Sequence, residues 1–363
     1  MMPYAQGFGK PEHARAILKR IRAASEKVGP INIMEVCGTH TNAIARHGIK
    51  SLLPDTIHLI SGPGCPVCVT SQHDIDVSLH LADKGEAVFC TFGDMLKVPG
   101  TKSNSLEKIK AKGRDIRVVV SPIDCLKIAT ENKGKPVVFL AIGFETTSPT
   151  VAFTVNMAKE RKISNFFVFS VHKLISPAMK VLLDDPEINV DAFLLPGHVC
   201  TILGKNDFDF LADHGKAGVI TGFEAMDILT GILMILRQIE EKNFKIEIEY
   251  KRAVREEGNV KAKKILREVF DVSDATWRGL GEIKASGLKL NDAFFMFDAE
   301  KVFDIPEIES EEIKDCICGD ILKGKKLPLD CKLFNKGCHP FNPIGPCMVS
   351  SEGTCGTFYR YQR

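Results

Sequence analysis

The chain has 363 residues, 44% of them hydrophobic, and a formal net charge of +2. That length predicts two or three domains, and the near-neutral balance of 48 basic to 46 acidic residues leaves no footprint for nucleic acid. No segment reads as membrane-spanning, since the most apolar window, Val219–Leu236, is broken by Glu224 and Asp227 and fits a strand followed by an amphipathic helix.

The N-terminus has no apolar region of signal-peptide type. Pro11–Lys27, rich in Lys, Arg, Ala and Ile, reads as a surface helix, and a cytoplasmic location is expected. Residues 1–30 are expected to form a helical segment packed on a third domain.

From Ile31 onward, short β-branched runs alternate with helical patterns. Candidate strands are Ile31–Val36, Thr56–Ile60, Ala87–Thr91, Ile116–Val120, Val137–Ile142, Phe166–Val171, Ala192–Leu195 and Ala217–Ile220. Their starts recur at roughly 25–30 residues, the length of a βα unit, and their continuous apolar runs predict strands covered on both faces. The expected fold class is α/β: two parallel-sheet domains of similar layout, at 31–131 and 132–238, plus a third, cysteine-rich Fe–S domain at 239–363. The join is placed at the polar break Asn132-Lys133-Gly134-Lys135. An echo between Gly143-Phe144-Glu145 and Gly222-Phe223-Glu224 is a weak sign of duplication. After Gln238, Lys245–Tyr250 alternates as an exposed strand would and Val260–Phe270 reads as a charged helix. Phe294, Phe295, Phe297 and Phe303 supply core bulk.

Nearly every strand in the first two domains ends in a polar or glycine-bearing turn. These are Cys37-Gly38-Thr39-His40, Gly62-Pro63-Gly64-Cys65, Phe92-Gly93-Asp94, Gly143-Phe144-Glu145-Thr146-Thr147, His172-Lys173 and Pro196-Gly197-His198. Any one is an ordinary loop or cap. Several on one edge predict a cleft, because parallel sheets bind ligands beyond the carboxyl ends of their strands.

Twelve cysteines in a reducing compartment point to metal or redox chemistry before structural disulfides. Cys90, Cys125 and Cys200 stand alone and read as small buried hydrophobes. Cys65-Pro66-Val67-Cys68 is a C-x-x-C pair, able to close a disulfide or share a metal. Cys37, three residues before His40, suits either a nucleophile or a soft-metal thiolate. Six cysteines, Cys316, Cys318, Cys331, Cys338, Cys347 and Cys355, lie among interleaved glycines and prolines. Such loops suit an Fe–S cluster, held by four thiolates and leaving two for a dithiol; zinc would also accept four.

Met34–Thr41, Gly62–Cys68, Gly143–Thr147, Pro196–Val199 and the tail Pro346–Cys355 together resemble, in order, the HypD family of [NiFe]-hydrogenase maturation factors. The resemblance implies two α/β domains and a third bearing a [4Fe–4S] cluster. It implies a partner, HypC, with which Fe(CN)2CO is assembled, and a cyanide donor, HypE. Carried over by position, Cys37 is the iron ligand, Cys65 and Cys68 a redox pair, and His40 lies in the same turn. The likeness of the tail to ferredoxin:thioredoxin reductase assigns Cys316, Cys331, Cys338 and Cys355 to the cluster and Cys318 and Cys347 to an adjoining redox pair. Asp94, Glu145 and His198 would orient ligands or handle protons. A stand-alone Fe–S thiol–disulfide oxidoreductase and a zinc-stabilised interaction protein are the rival readings.

Overall fold

The computed structural model of the protein describes residues 11–361. Among them lie eleven strands: β1 (Ile31–Glu35), β2 (Ile57–Ser61), β3 (Val88–Thr91), β4 (Ile116–Val118), β5 (Val137–Ala141), β6 (Phe166–Ser170), β7 (Ala192–Pro196), β8 (Ala217–Thr221), β9 (Ile246–Ile248), β10 (Phe270–Trp277) and β11 (Gly281–Leu290). All eight strands expected in the α/β part are present. The protein is α/β, with two parallel sheets and an irregular, cysteine-rich C-terminal region.

The sheets do not divide the chain where the polar break does. A five-stranded parallel sheet has the order β2-β1-β7-β8-β9, and a four-stranded parallel sheet the order β4-β3-β5-β6. Residues 88–170 are therefore inserted into the five-stranded unit, and a boundary at 131/132 falls inside the four-stranded sheet. Asn132–Lys135 is a surface turn: Lys135 N–H donates to Asn132 O, while Asn165 Nδ2 donates to the carbonyls of Ala129, Asn132 and Lys135. Polarity marks a turn as readily as a linker, which is why the sequence misleads here. The third region also begins later than 239, because Lys245–Tyr250 supplies β9, the parallel edge strand of the five-stranded sheet.

β5, β6, β7 and β8 are buried along their whole length, as strands covered on both faces must be. One face of the five-stranded sheet packs on the helices Pro11–Val28 and Ala225–Glu241 through Ile21, Ile228, Ile232 and Ile235. The N-terminal helix thus packs on Ala225–Glu241, with Lys27 paired to Glu240, and not on the third region as expected. Its apolar stripe meets the longest apolar helix surface in the molecule. Residues 1–10 of the expected N-terminal segment lie outside the described residues.

β10 and β11 form an antiparallel hairpin that sequence reading missed. It lies against the four-stranded unit, where Ser170 Oγ donates to Leu288 O at 2.7 Å and Leu174 N–H to Ser286 O at 2.8 Å. Val260–Val269 is the expected charged helix. Phe294 and Phe297 are core, but Phe295, between them, is 62% exposed, as its position on the far side of a short 3-10 turn dictates. Cys90, Cys125 and Cys200 are fully buried.

Candidate functional site

β1 has β2 on one flank and β7 on the other, so strand order reverses beside it. The same reversal occurs beside β3, flanked by β4 and β5. At such points neighbouring loops leave in opposite directions and open a crevice. Cys37 follows β1 directly, in extended conformation (φ −150°, ψ 123°), and the helix Gly38–Arg46 starts after it. The loop after β2 closes over this turn. Gly38 N–H donates to Gly64 O at 2.9 Å, and a Cβ on Gly64 would collide with the backbone of Val36 and Cys37.

Cys37 is 8% exposed, and burial pushes its thiol up to about 12. The Glu352 carboxylate adds to that, and the amides of His40 and Thr39 with the Thr39 hydroxyl oppose it without winning. The group is a neutral thiol at neutral pH, and a metal would bind it by displacing the proton. His40, wholly buried, places Nε2 2.9 Å from Gly222 O and 3.0 Å from Thr221 Oγ1, while Nδ1 has no partner. Burial pushes it down to about 4, so the ring is neutral and Nε2–H donates to Gly222 O. Phe223 stacks on His198 at 3.9 Å and lies 4.7 Å from the His40 ring.

Cys65 and Cys68 are both buried and joined as a disulfide at the start of the single-turn helix Pro66–Val69. Pro66 at its first position fits because no N–H is needed there. In the four-stranded sheet, Asp94 follows β3 at the surface and Glu145 follows β5 in the interior. Glu145 Oε1 accepts from Ile175 N–H at 3.0 Å, Oε2 has no partner, and burial pushes the carboxyl up to about 7. Burial pushes the Cys200 thiol up, and the charges of Glu145, Cys37 and Asp207 add to the shift.

The six C-terminal cysteines line one small chamber, together with Ile321, Leu333, Phe334, Gly345 and Met348. Thiol contacts run from Cys316 through Cys318 and Cys347 to Cys355. Cys318 and Cys347 are the deeply buried pair at 4% and 1% exposure, whereas Cys316, Cys331 and Cys355 reach toward the surface. Main-chain amides point at sulfur: Ile344 N–H at Cys338 (3.3 Å) and Cys355 N–H at Cys347 (3.4 Å). A Cβ on Gly345 would stand 2.9 Å from the Cys316 sulfur. Apolar walls, inward thiols and N–H···S donors fit an iron–sulfur cluster, whose cysteines each take a different iron. Among the described residues no three His, Cys, Asp or Glu side chains converge on a single ion.

The tail ties the chamber to the crevice. The helix Pro346–Val349, which includes Cys347, packs on the helix Pro66–Val69. Just beyond it, Thr39 Oγ1 donates to Glu352 Oε1 at 2.6 Å, Asn42 Nδ2 to Ser351 O at 2.9 Å, and Ser350 Oγ to Asp94 Oδ2 at 3.3 Å. Cys37, His40, Cys65 and Cys68 are thereby brought together, His198 borders them through Phe223, and Asp94 joins through Ser350. Glu145 joins them through no hydrogen bond; its Oε1 meets Ile175 N–H. Sequence reasoning missed Glu352, although it lies in the quoted tail; only the cysteines there were read as chemistry.

Two parallel sheets whose strand order reverses beside Cys37 and beside Asp94, with a six-cysteine chamber docked on them, define an α/β protein with a cysteine-rich C-terminal region. The family model described as HypD, "Hydrogenase formation hypA family", matches residues 12–362. The hydrogenase maturation factor HypD2 of Bradyrhizobium diazoefficiens is 44% identical, over 100% of this chain and 97% of its own length. The hydrogenase maturation factors HypD of Cupriavidus necator (43%; 100% and 98%) and Escherichia coli (40%; 100% and 99%) align as completely. The chain belongs to the HypD family of hydrogenase maturation factors. No helix among the described residues is long and apolar enough to cross a membrane.

Proposed function

We propose that the protein is, with a HypC partner, the cytoplasmic scaffold on which an Fe(CN)2CO group is assembled for a [NiFe] hydrogenase, cyanide being supplied by HypE. The observation that carries this reading is the packing of the Cys347-bearing helix on the Cys65–Cys68 helix, whose preceding loop closes on the Cys37 turn through Gly38 N–H and Gly64 O.

In this reading Cys37 is the protein's ligand to the substrate iron. Its neutral thiol gives up a proton on binding, and soft thiolate suits iron bearing cyanide and carbon monoxide. His198 and Asp94 border the space and are available to hold ligands or water. His40, held neutral, leaves Nδ1 free to accept a proton or hydrogen bond. Cys316, Cys331, Cys338 and Cys355 would hold a [4Fe–4S] cluster, leaving Cys318 and Cys347, in contact and buried, as its adjoining dithiol. The cluster would supply electrons singly. Release of cyanide from a thiocyanate carrier, RS–CN, needs two electrons and two protons. Reduced Cys65 and Cys68 provide both: the S–CN bond breaks, RSH and HCN form, and the pair closes to the disulfide seen here. Glu145, whose buried carboxyl is pushed up to about 7, would handle protons.

The test uses the protein purified without air in complex with HypC. Infrared bands of iron-bound cyanide and carbon monoxide are expected in the native complex and lost in Cys37→Ala. Their persistence in the variant would overturn the assignment of Cys37. About four irons and four sulfides per chain are expected in the same sample; zinc without sulfide would remove the cluster and its relay.

A further inference from the structure

The hairpin hidden in the sequence carries a buried cation at its tip. Arg278, in the turn between β10 and β11, is 5% exposed. Its main-chain N–H donates to Val69 O at 2.8 Å, its Nε to Thr70 O at 3.1 Å, and both terminal nitrogens to Gln72 Oε1 at 3.2 Å. Every acceptor is neutral, and all belong to the segment just after Cys68. Among the described residues no carboxylate pairs with this guanidinium, whereas buried Lys173 has Asp74 and half-exposed Arg252 has Asp227. A guanidinium removed from water without a counter-charge is strongly disfavoured unless its surroundings hold negative charge.

The six cysteines of the chamber lie beside the turn that carries Arg278. The next residue, Gly279 (φ +76°), presses onto Gly319, beside Cys318, where a Cβ would collide with the Gly319 backbone. The hairpin tip is thus wedged between the Cys65–Cys68 segment and the Cys316–Cys318 turn.

We propose that Arg278 is a positioning residue that supplies the fixed positive charge of the cysteine chamber and ties it to the Cys65–Cys68 segment. The proposal rests on the cluster reading above and deepens it. Four thiolates around a cluster make the chamber net negative, and one-electron reduction adds a further negative charge without breaking a bond. Arg278 favours that reduced state electrostatically. The carbonyls it clamps fix its distance, so any movement of the Cys65–Cys68 segment moves the charge.

The experiment is a dithionite titration of the anaerobically purified full chain, followed by EPR, in native protein, Arg278→Lys and Arg278→Met. Arg278→Met is expected to disfavour the reduced cluster about tenfold, a midpoint lowered by about 59 mV, with iron and sulfide content unchanged. Arg278→Lys, which keeps the charge and loses the planar fork, is expected to stay near native. An unchanged midpoint in Arg278→Met overturns the proposal and leaves the cluster reading standing. Equal displacement in both variants also overturns it, since packing and not charge would then be responsible. Should Arg278→Met fail to fold, Arg278→Gln takes its place. If the native protein holds zinc and no sulfide, the cluster reading falls, and the charge is tested by chelation. Arg278→Met should then lose zinc at about tenfold lower chelator concentration than Arg278→Lys, and equal loss overturns it. A native chain that holds no metal overturns both readings.

Discussion

The two parallel sheets share a plan and differ in what they present at its reversal. In each, the first strand is flanked by the second and third, with the fourth beyond. Each buries a carboxyl pushed up to about 7 by desolvation, Glu35 in one and Glu145 in the other. Each also buries a histidine pushed down, His40 to about 4 and His172 to about 3. The five-stranded sheet then places a thiol, Cys37, at its mouth, where the four-stranded sheet places Asp94 and Glu145. A shared frame sets where chemistry sits, and the turn residues decide which chemistry it is.

The largest expected effect would break the parallel at its turns. Gly64→Ala sets a Cβ against fixed backbone of Val36 and Cys37, with an expected loss of about 4 kcal/mol in denaturant unfolding. Gly143→Ala (φ +154°) sets a Cβ 2.5 Å from the Thr147 Cβ, which side-chain rotation leaves in place, and should cost about 2–3 kcal/mol. Equal losses would show that the loop over Cys37 has more freedom than its packing allows.

Titration sharpens the likeness. Histidines lowered from 6.5 give stability that is full above that value and lost as pH falls. Carboxyls raised from 4.5 give stability that is full below that value and lost as pH rises toward 7. Between pH 4.5 and 6.5 these four contributions cancel one another, leaving the less buried groups to set the stability profile. Glu145→Gln should tilt it upward with pH by about 1.4 kcal/mol per unit, and His40→Gln should tilt it downward by as much. Equilibrium unfolding at four or five pH values measures both, and a tilt of the wrong sign in either variant would contradict the assigned burial.

The smallest effect compares how the tail grips each unit. Thr39→Val removes the 2.6 Å bond to Glu352 and should cost about 1 kcal/mol, whereas Asp94→Ala removes the 3.3 Å bond from Ser350 and should cost about 0.5 kcal/mol. A larger loss from Asp94→Ala would place the tail's main anchor on the four-stranded unit.

Strand positions were legible because a strand buried on both faces must be apolar throughout. Which strands pair was not: nothing local in Ile31–Glu35 says that its second neighbour is Ala192–Pro196. The Gly-Phe-Glu echo illustrates the limit. It follows β5, the third strand of one sheet, and β8, the fourth strand of the other, so the two copies do not correspond, although the strand orders do. The hairpin escaped notice because β10 is largely exposed, with Trp277 and Phe270 buried only at its ends, and β11 buries Ile283, Leu288 and Leu290 at no regular spacing. The polar turns that follow the strands were legible as such, but the places of Glu352 and Arg278 were not. Each reaches its place through tertiary docking of a segment with no periodicity of its own.

The insertion of one unit within the other orders events during synthesis. The four-stranded sheet is complete once residue 170 has emerged, but β1 lacks its second flank until β7 follows, and the sheet lacks its edge until residue 248. Contacts so distant in sequence close late. Until then Cys37 ends an unfinished pair of strands, and Glu352 arrives later still. The nascent chain therefore completes the surroundings of Cys37 only when almost all of it has been made.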